Sequence, residues 1–394
     1  MNYTNQVLVT VRPVGDWIKT TEKAVASGAS VCLQTLGFEE HIEELWNHYL
    51  AKFRTGIFAV SCKDFKTAKA LQAIAELNGS ALTRSLRVII PWHRVSREQI
   101  VELNGLNPIP RLGSIQDVEQ YAKSPWDQQN DPCVIIEGYE SGGLCGRDSQ
   151  YILFQKALSC LNDCRMIVAG PIGLLSFSAL NSQGIHSILL DEQTLLLHDS
   201  YLPLRTKQLL NRVNGRQSIV LRSALDINEE VRCVSLPGKG APGYLFGSSI
   251  DASELNEIAR WNSEWIFPVG EGIDLAKEFC VKYRTLGRVI SAYRSLRVSR
   301  GLATRQPNTI ADQFGVKYPI IQGPMSRVSD NAEFAASVAR GGALPTIAAA
   351  MLSAEALEKV LVKTAELVPE LPWGVGLLGF IDSAHLQSQI SVLK

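Results

Sequence analysis

Short apolar runs alternate with helical stretches across the first half of the chain, and this rhythm constrains the fold more than any other feature. Eight runs are predicted strands: Val7–Val11, Ser30–Leu33, Gly56–Val60, Arg87–Pro91, Ile109–Leu112, Cys133–Glu137, Met166–Ala169 and Ser187–Leu190. Each is short, rich in β-branched or apolar residues and bounded by Gly, Pro or a polar cluster, as strands of a buried parallel sheet are. Helical patterns lie between them over Trp17–Ala26, Glu39–Lys52, Phe65–Leu77, Ser96–Leu103, Ile115–Ala122, Ser149–Leu161 and Leu174–Ser182. Eight such units predict a closed parallel (β/α)8 barrel, a TIM barrel, over residues 1–213. An open doubly wound sheet is the competitor, but no G-x-G-x-x-G follows the first strand.

Charge and composition narrow the function classes. Lys+Arg and Asp+Glu both number 39, so no global bias points to nucleic acid or to an anionic membrane. No run approaches the roughly 18 apolar residues that span a bilayer, and residues 1–12 lack the pattern of a secretory signal. A cytoplasmic protein is the expectation. The eight cysteines agree with that: Cys32, Cys62 and Cys133 sit in apolar runs, where a thiol behaves as a small hydrophobe. Cys160 and Cys164 have no Cys or His pair of comparable spacing to complete a metal site.

The rhythm breaks over residues 214–305, read as a lid or linker region. Strand-like Cys233–Leu236 and Tyr244–Phe246 lie in a Gly/Pro-rich stretch, followed by helical patterns at Ser253–Trp261, Asp274–Tyr283 and Arg284–Arg300. From Arg284 to Arg305 there are six arginines and no acidic residue. Such a run is either a solvated helix face or a docking face for an acidic partner. The rhythm then restarts, and residues 306–394 repeat the opening order of strand, helix, strand, helix, strand. The strands expected there are Tyr318–Gln322, Ala343–Ile347 and Trp373–Leu378. Three βα units cannot close a barrel, so this section reads as the start of a second, incomplete one.

The sharpest segment is Tyr318-Pro-Ile-Ile-Gln-Gly-Pro-Met-Ser-Arg-Val-Ser-Asp330. At a strand end, Gly323-Pro324 lets backbone approach a flat ligand and Met325 offers a polarisable side chain to a ring. Ser329-Asp330 is placed to cap the next helix. The segment Pro319–Met325, with Phe334–Ile347 after it, resembles the opening of the nitronate monooxygenase (2-nitropropane dioxygenase) family, which includes the flavin-dependent enoyl-acyl-carrier-protein reductases. The wording also resembles enoyl-reductase-like regions of bacterial polyketide and polyunsaturated fatty acid synthases. The resemblance implies an FMN-binding (β/α)8 barrel, with Gln322, Gly323, Pro324, Met325 and Thr346 against the cofactor.

The first barrel carries the resemblance more faintly. Glu140, Ser141, Gly142 and Gly143 align with a family turn after the sixth strand, and Gly170 and Gly173 with a phosphate turn after the seventh. Here the family's histidine falls on Leu144, which cannot transfer a proton. Asp191-Glu192 place carboxylates where the cofactor phosphate would lie, and Val11-Arg-Pro-Val-Gly15 lacks the Gly-Pro-Met turn. His93, in Pro91-Trp-His-Arg94, is an ionisable side chain at a strand end, read as either a catalytic group or a structural one. Trp265-Ile-Phe-Pro-Val-Gly-Glu-Gly272 resembles the family's post-barrel segment. The resemblance implies a flavin-dependent oxidoreductase-like region of a synthase, with the first barrel inactive and no metal. The alternative is a non-catalytic scaffold that docks acyl carrier protein or dimerises the synthase as a homo-oligomer.

Overall fold

The structure is a computed structural model of the chain. It describes residues 7–38, 41, 43–44, 57–77, 87–103, 106–124, 132–161, 163–223, 230–236, 247–261, 265–298 and 309–393. The expected helix Glu39–Lys52 and strand Tyr244–Phe246 fall mostly or wholly outside those residues. Two compact units divide the chain, Met1–Arg300 and Gly301–Lys394.

In the first unit eight parallel strands close into a barrel. They are β1 (Val7–Val11), β2 (Ser30–Gln34), β3 (Ile57–Ser61), β4 (Val88–Pro91), β5 (Pro108–Leu112), β6 (Cys133–Glu137), β7 (Arg165–Ala169) and β8 (Ser187–Leu190). The last strand returns to the first through the register Val7↔Ile188 to Val9↔Leu190. The TIM barrel expected from the rhythm is therefore the fold, and each of the eight predicted barrel strands falls on an observed one.

Alternation along each strand sorts side chains inward and outward. Leu8, Cys32, Ala59, Ile89, Ile109, Ile135, Ile167 and Leu189 fill the lumen. Val7, Val9 and Val11 instead join the layer between strands and helices, where Leu71, Tyr121, Phe154 and Phe177 are fully buried. Two of the outer helices start on polar caps: Ser96 and Ser114 each form a capping box at the heads of Arg97–Glu102 and Ile115–Ala122.

Seven barrel strands are followed by short connections, but the eighth is not. After β8 the chain builds a small sheet before helix Leu286–Val298 packs on helices Trp17–Ala26 and Leu174–Ser182, taking the eighth outer-helix position. In that sheet Ser218–Ser223 pairs antiparallel with Glu230–Ser235, which also takes Ile266–Phe267 and the two-residue strand Gly143–Leu144 as neighbours. Sequence reading had placed a strand at Cys233–Leu236 and had missed Ser218–Ser223. Its alternating polar residues (Ser218, Arg222) look like a loop until a partner strand covers one face.

In the second unit, Thr346–Ala348 and Gly374–Gly376 pair in parallel, and Ile321 bridges Leu344 in parallel. Helices Ala332–Arg340 and Ala354–Leu367 pack on each other. The expected strand Tyr318–Gln322 reduces to that single bridge, since Pro319 and Pro324 flank it and proline donates no ladder hydrogen bond. The cap of Ala332–Arg340 also differs from expectation. Asn331 accepts from the Phe334 amide at 2.9 Å, while Ser329 turns inward to accept from the Met325 amide at 2.8 Å.

Candidate functional site

The C-terminal ends of parallel barrel strands are where ligands bind in this fold, and here that mouth is filled by charge pairs. The alternation that puts Leu8 in the lumen also puts Thr10 and Arg12 there, one and two layers higher. The same parity brings Gln34, Ser61, Arg111, Glu137 and Asp191 inward. Arg12 forks onto Asp191 with nitrogen–oxygen distances of 2.6 and 2.8 Å, and also donates to the Tyr201 hydroxyl at 2.8 Å. Arg111 pairs with Glu137 at 2.9 Å. Burial raises Glu137 above the usual carboxylate range, although Arg111 pulls the other way.

The space left between these groups is about 30 Å3. Pockets for drug-sized ligands occupy roughly 300–1,000 Å3, so the mouth has room for water and not for a flavin ring. Arg12 and Asp191 stand at the ends of β1 and β8, the two turns that the resemblance assigns to ring and phosphate. In this barrel those turns are bolted to each other.

Glu192 closes the mouth from a second side. It is 2% exposed, and its Oε1 accepts from the amides of Gly142 and Gly270, the latter at 3.0 Å. This joins the turn after β6 to the segment after Phe267. A side chain at Gly142 or Gly272 would run into the carboxylate, so both positions require glycine. Burial pushes the Glu192 carboxyl up to about 8, and the charge of Asp191 adds to that, against the pull of the two amides and of Arg12. Its Oε2 is buried with no hydrogen-bond partner.

The residues singled out in the first barrel meet at one end, as expected of turns after adjacent parallel strands. A Cβ on Gly170, which has φ +111°, would lie 2.7 Å from the Ser141 hydroxyl oxygen. Their partners are structural. Glu140 accepts from the Gln150 amide at 3.0 Å, at the head of helix Gln150–Cys160. The turn Gly170–Gly173 is tied through its carbonyls: Gln193 donates to Gly170 at 2.7 Å and to Ile172 at 3.2 Å, and the Tyr293 hydroxyl donates to Ile172. Leu275 packs over Gly173. A phosphate would need the amides that this packing covers.

Leu144, at the family's histidine position, is drawn into the small sheet opposite Val231 and packs against the cluster of Leu221, Cys233 and Ile266. It is an apolar anchor. Leu144→His should therefore weaken the fold by about 1–2 kcal/mol, through lost apolar burial and a poorly solvated imidazole. Urea unfolding of the two proteins measures this; equal midpoints would show that Leu144 anchors nothing.

His93 lies in the turn Trp92–Arg94 after β4, away from the lumen. It lines an open polar cavity of about 240 Å3 with Gln116, Gln120 and Arg147 among others. Sequence reading missed Arg12, Arg111, Glu137 and Asp191 as a set. The signal was available: Arg111, Glu137 and Asp191 each stand two positions beyond a lumen-facing apolar residue of their own strand, and Arg12 stands four beyond Leu8.

In the second unit the motif residues stand together in the open. Gln322 accepts from the Thr346 amide at 3.1 Å and also donates to the Gly323 carbonyl, locking the first two strand ends. Gly323 faces open space, and Met325 is 43% exposed. Gln322, Gly323, Met325 and Thr346 thus stand together at an exposed strand end, whereas the corresponding end of the first barrel is closed by side chains. Among the described residues no cluster able to hold a metal ion is present, and no helix is long and apolar enough to cross a membrane. The eight cysteines are free thiols.

A closed barrel of eight parallel strands with helices around it defines a TIM barrel. Residues 308–389 match the model of the nitronate monooxygenase family. Among solved structures the chain is similar to FabK from Thermotoga maritima, at 14% identity over 75% of this chain and 94% of that chain, with a TM-score of 0.53. It is similar also to nitroalkane oxidase from Streptomyces ansochromogenes, at 15% identity over 75% of this chain and 97% of that chain, with a TM-score of 0.52. At such identities the likeness is one of fold, and its extent exceeds the second unit alone, so it reaches over the first barrel. No curated protein sequence matches the chain. The nitronate monooxygenase family is thus matched by sequence over residues 308–389, and beyond them the chain shares the fold of these structures.

Proposed function

We propose that the chain is the flavin-dependent, enoyl-reductase-like region of a cytoplasmic polyketide or fatty acid synthase, with a first barrel that holds no flavin. The observation that carries the second half is the Arg12–Asp191 fork across the barrel mouth, beside the Arg111–Glu137 pair. Leu144 in place of a proton-transferring residue supports the same reading. In this division residues 1–213 are the altered barrel, 214–305 the lid and linker, and 306–394 the first three βα units of a second barrel. Cofactor contact falls to Gln322, Gly323, Pro324, Met325 and Thr346. Bound there, FMN would supply reduction of an acyl-thioester double bond or oxidation of a nitronate-like carbanion. The residues of the first barrel that align with the family's flavin turns, Glu140, Ser141, Gly142, Gly143, Gly170 and Gly173, are assigned a structural role.

The closed mouth also favours a second reading, a scaffold that docks acyl carrier protein or dimerises the synthase. Equilibrium dialysis of the purified chain against FMN tests the first-barrel assignment. The expected result is a colourless protein without a stoichiometric flavin complex. Tight one-to-one binding that survives substitution of Met325 would place the flavin in the first barrel and overturn it.

A further inference from the structure

With the barrel axis closed, an open space remains off axis, over the loops that follow β4, β5 and β6. His93, Gln116, Gln120 and Arg147 converge on it, and its volume is about 240 Å3. We propose that this cavity is a binding site for a small phosphate ester, separate from the flavin turns and independent of the flavin reading above.

The walls are fixed to one another. Trp92, next to His93, packs edge-to-face on Tyr121 with ring centroids 5.2 Å apart, which holds the turn after β4 against helix Ile115–Ala122. That helix buries Asp117, Val118 and Tyr121. Gln116 and Gln120, four residues apart, are left side by side on its exposed face. From the third loop, a Cβ on Gly146 would collide with the Glu137 and Gly113 carbonyls. The chain after β6 therefore lies directly on the turn after β5 and carries Arg147 to the rim.

Backbone and acid groups at the floor are already engaged. Asp117 accepts from the Gly113 and Ser114 amides at 3.0 and 3.1 Å, and Asp148 from the Ile115 amide at 2.6 Å. The Gly146 and Arg147 amides donate to the Gly138 and Gly113 carbonyls. Both carboxylates are thus turned into the head of the helix, whose dipole offsets their charge, and recognition falls to the side chains. These are two carboxamides, an imidazole and a guanidinium. A guanidinium has five N–H donors, enough to serve a ligand beside a protein partner. Donors that reach in from three loops surround a guest, which suits a tetrahedral phosphate; a planar carboxylate is satisfied by a single guanidinium fork.

Size and lining restrict the rest of the ligand. The volume is below the roughly 300–1,000 Å3 of sites for drug-sized molecules. Among the described residues that line it, none is aliphatic or a carbocyclic aromatic, so a short hydroxylated ester fits better than an apolar one. Cys145 lies in the wall, where burial pushes its thiol up to about 12. It supplies no thiolate at neutral pH, and the site binds without covalent chemistry.

Isothermal titration of the full chain at fixed ionic strength tests the proposal, with glycerol 3-phosphate as the probe and succinate and glycerol as comparisons. Glycerol 3-phosphate is expected to bind saturably at one site and glycerol not at all. R147Q should weaken binding at least tenfold, the size of one lost charge-assisted hydrogen bond. Q120W, which leaves the charge unchanged and fills the space, should abolish it. R212Q, the same change at an exposed arginine elsewhere in this unit, should bind as wild type does. All three side chains are exposed, so the fold is expected to stand. If R147Q and Q120W bind as tightly as wild type, the phosphate sits elsewhere and the proposal fails. It fails equally if wild type shows no saturable binding. Tighter binding of succinate than of glycerol 3-phosphate would overturn it in favour of a carboxylate site. None of these outcomes bears on the flavin dialysis.

Discussion

Arg12→Ala is expected to lower the melting temperature of the first unit by about 10 °C. The side chains of Arg12 and Asp191 are 8% and 15% exposed, so the substitution leaves a carboxylate in a desolvated mouth with no counter-charge. Removing one member of a buried pair typically destabilises by about 3–5 kcal/mol, and for large domains each kcal/mol shifts the midpoint by about 2–4 °C. The Tyr201 hydroxyl also loses its partner. The double variant Arg12→Met/Asp191→Leu separates charge from packing. Replacing a whole buried pair by apolar residues of similar volume is often neutral or stabilising, so the double variant should recover most of the loss. Differential scanning calorimetry on the three proteins decides it. A single variant that melts within 2 °C of wild type, an order-of-magnitude threshold for one surface-type pair, would mean the fork contributes no more than an exposed salt bridge.

Glu192→Gln should change how stability depends on pH. The folded carboxyl titrates at about 8, well above the range of about 4.3 for a glutamate in an unfolded chain. Between those values the folded protein holds a proton that the unfolded chain has released. Stability from this group is therefore fully present below about pH 4, falls as pH rises through the interval, and levels off above about pH 8, with a slope approaching 1.4 kcal/mol per pH unit at most. Glutamine keeps an acceptor for the Gly142 and Gly270 amides and cannot ionise. Its advantage over wild type should thus grow from pH 5 to pH 8, reaching on the order of 3 kcal/mol after relaxation is allowed for. Denaturant unfolding at a series of pH values measures the difference, in which titrations common to both proteins cancel. Parallel profiles would show that Glu192 does not keep its proton in the folded state.

Strand rhythm made the first barrel legible, because buried parallel strands are marked by their own apolar runs and need no knowledge of neighbours. The motif around Gly323-Pro324-Met325 was legible for a similar reason: the information is local. The mouth was not, since Arg12 and Asp191 lie 179 residues apart in the chain and become a pair only when β1 meets β8. Asp191 and Glu192 read as two adjacent charges repelling a phosphate. Strand parity separates them: Asp191 points into the lumen and Glu192 turns under the post-barrel segment. Leu144 read as a lost histidine, which is a statement about what is missing. Its pairing with Val231 gives the leucine a part of its own, and that pairing involves a strand over 80 residues downstream.

The displaced eighth helix affects how the chain can be made. β8 ends at Leu190, but the helix that covers the flank of β1 ends at Val298, roughly a hundred residues later. At translation rates of about 5–20 residues per second, the ribosome needs about 5–20 s to deliver it. During that interval the emerging barrel has all eight strands but a bare seam between its first and seventh helices. The small sheet is threaded in the meantime, and Leu286–Val298 arrives last as the seal. A nascent chain paused before that point presents apolar surface to chaperones, and synthesis speed across residues 191–298 becomes a determinant of yield.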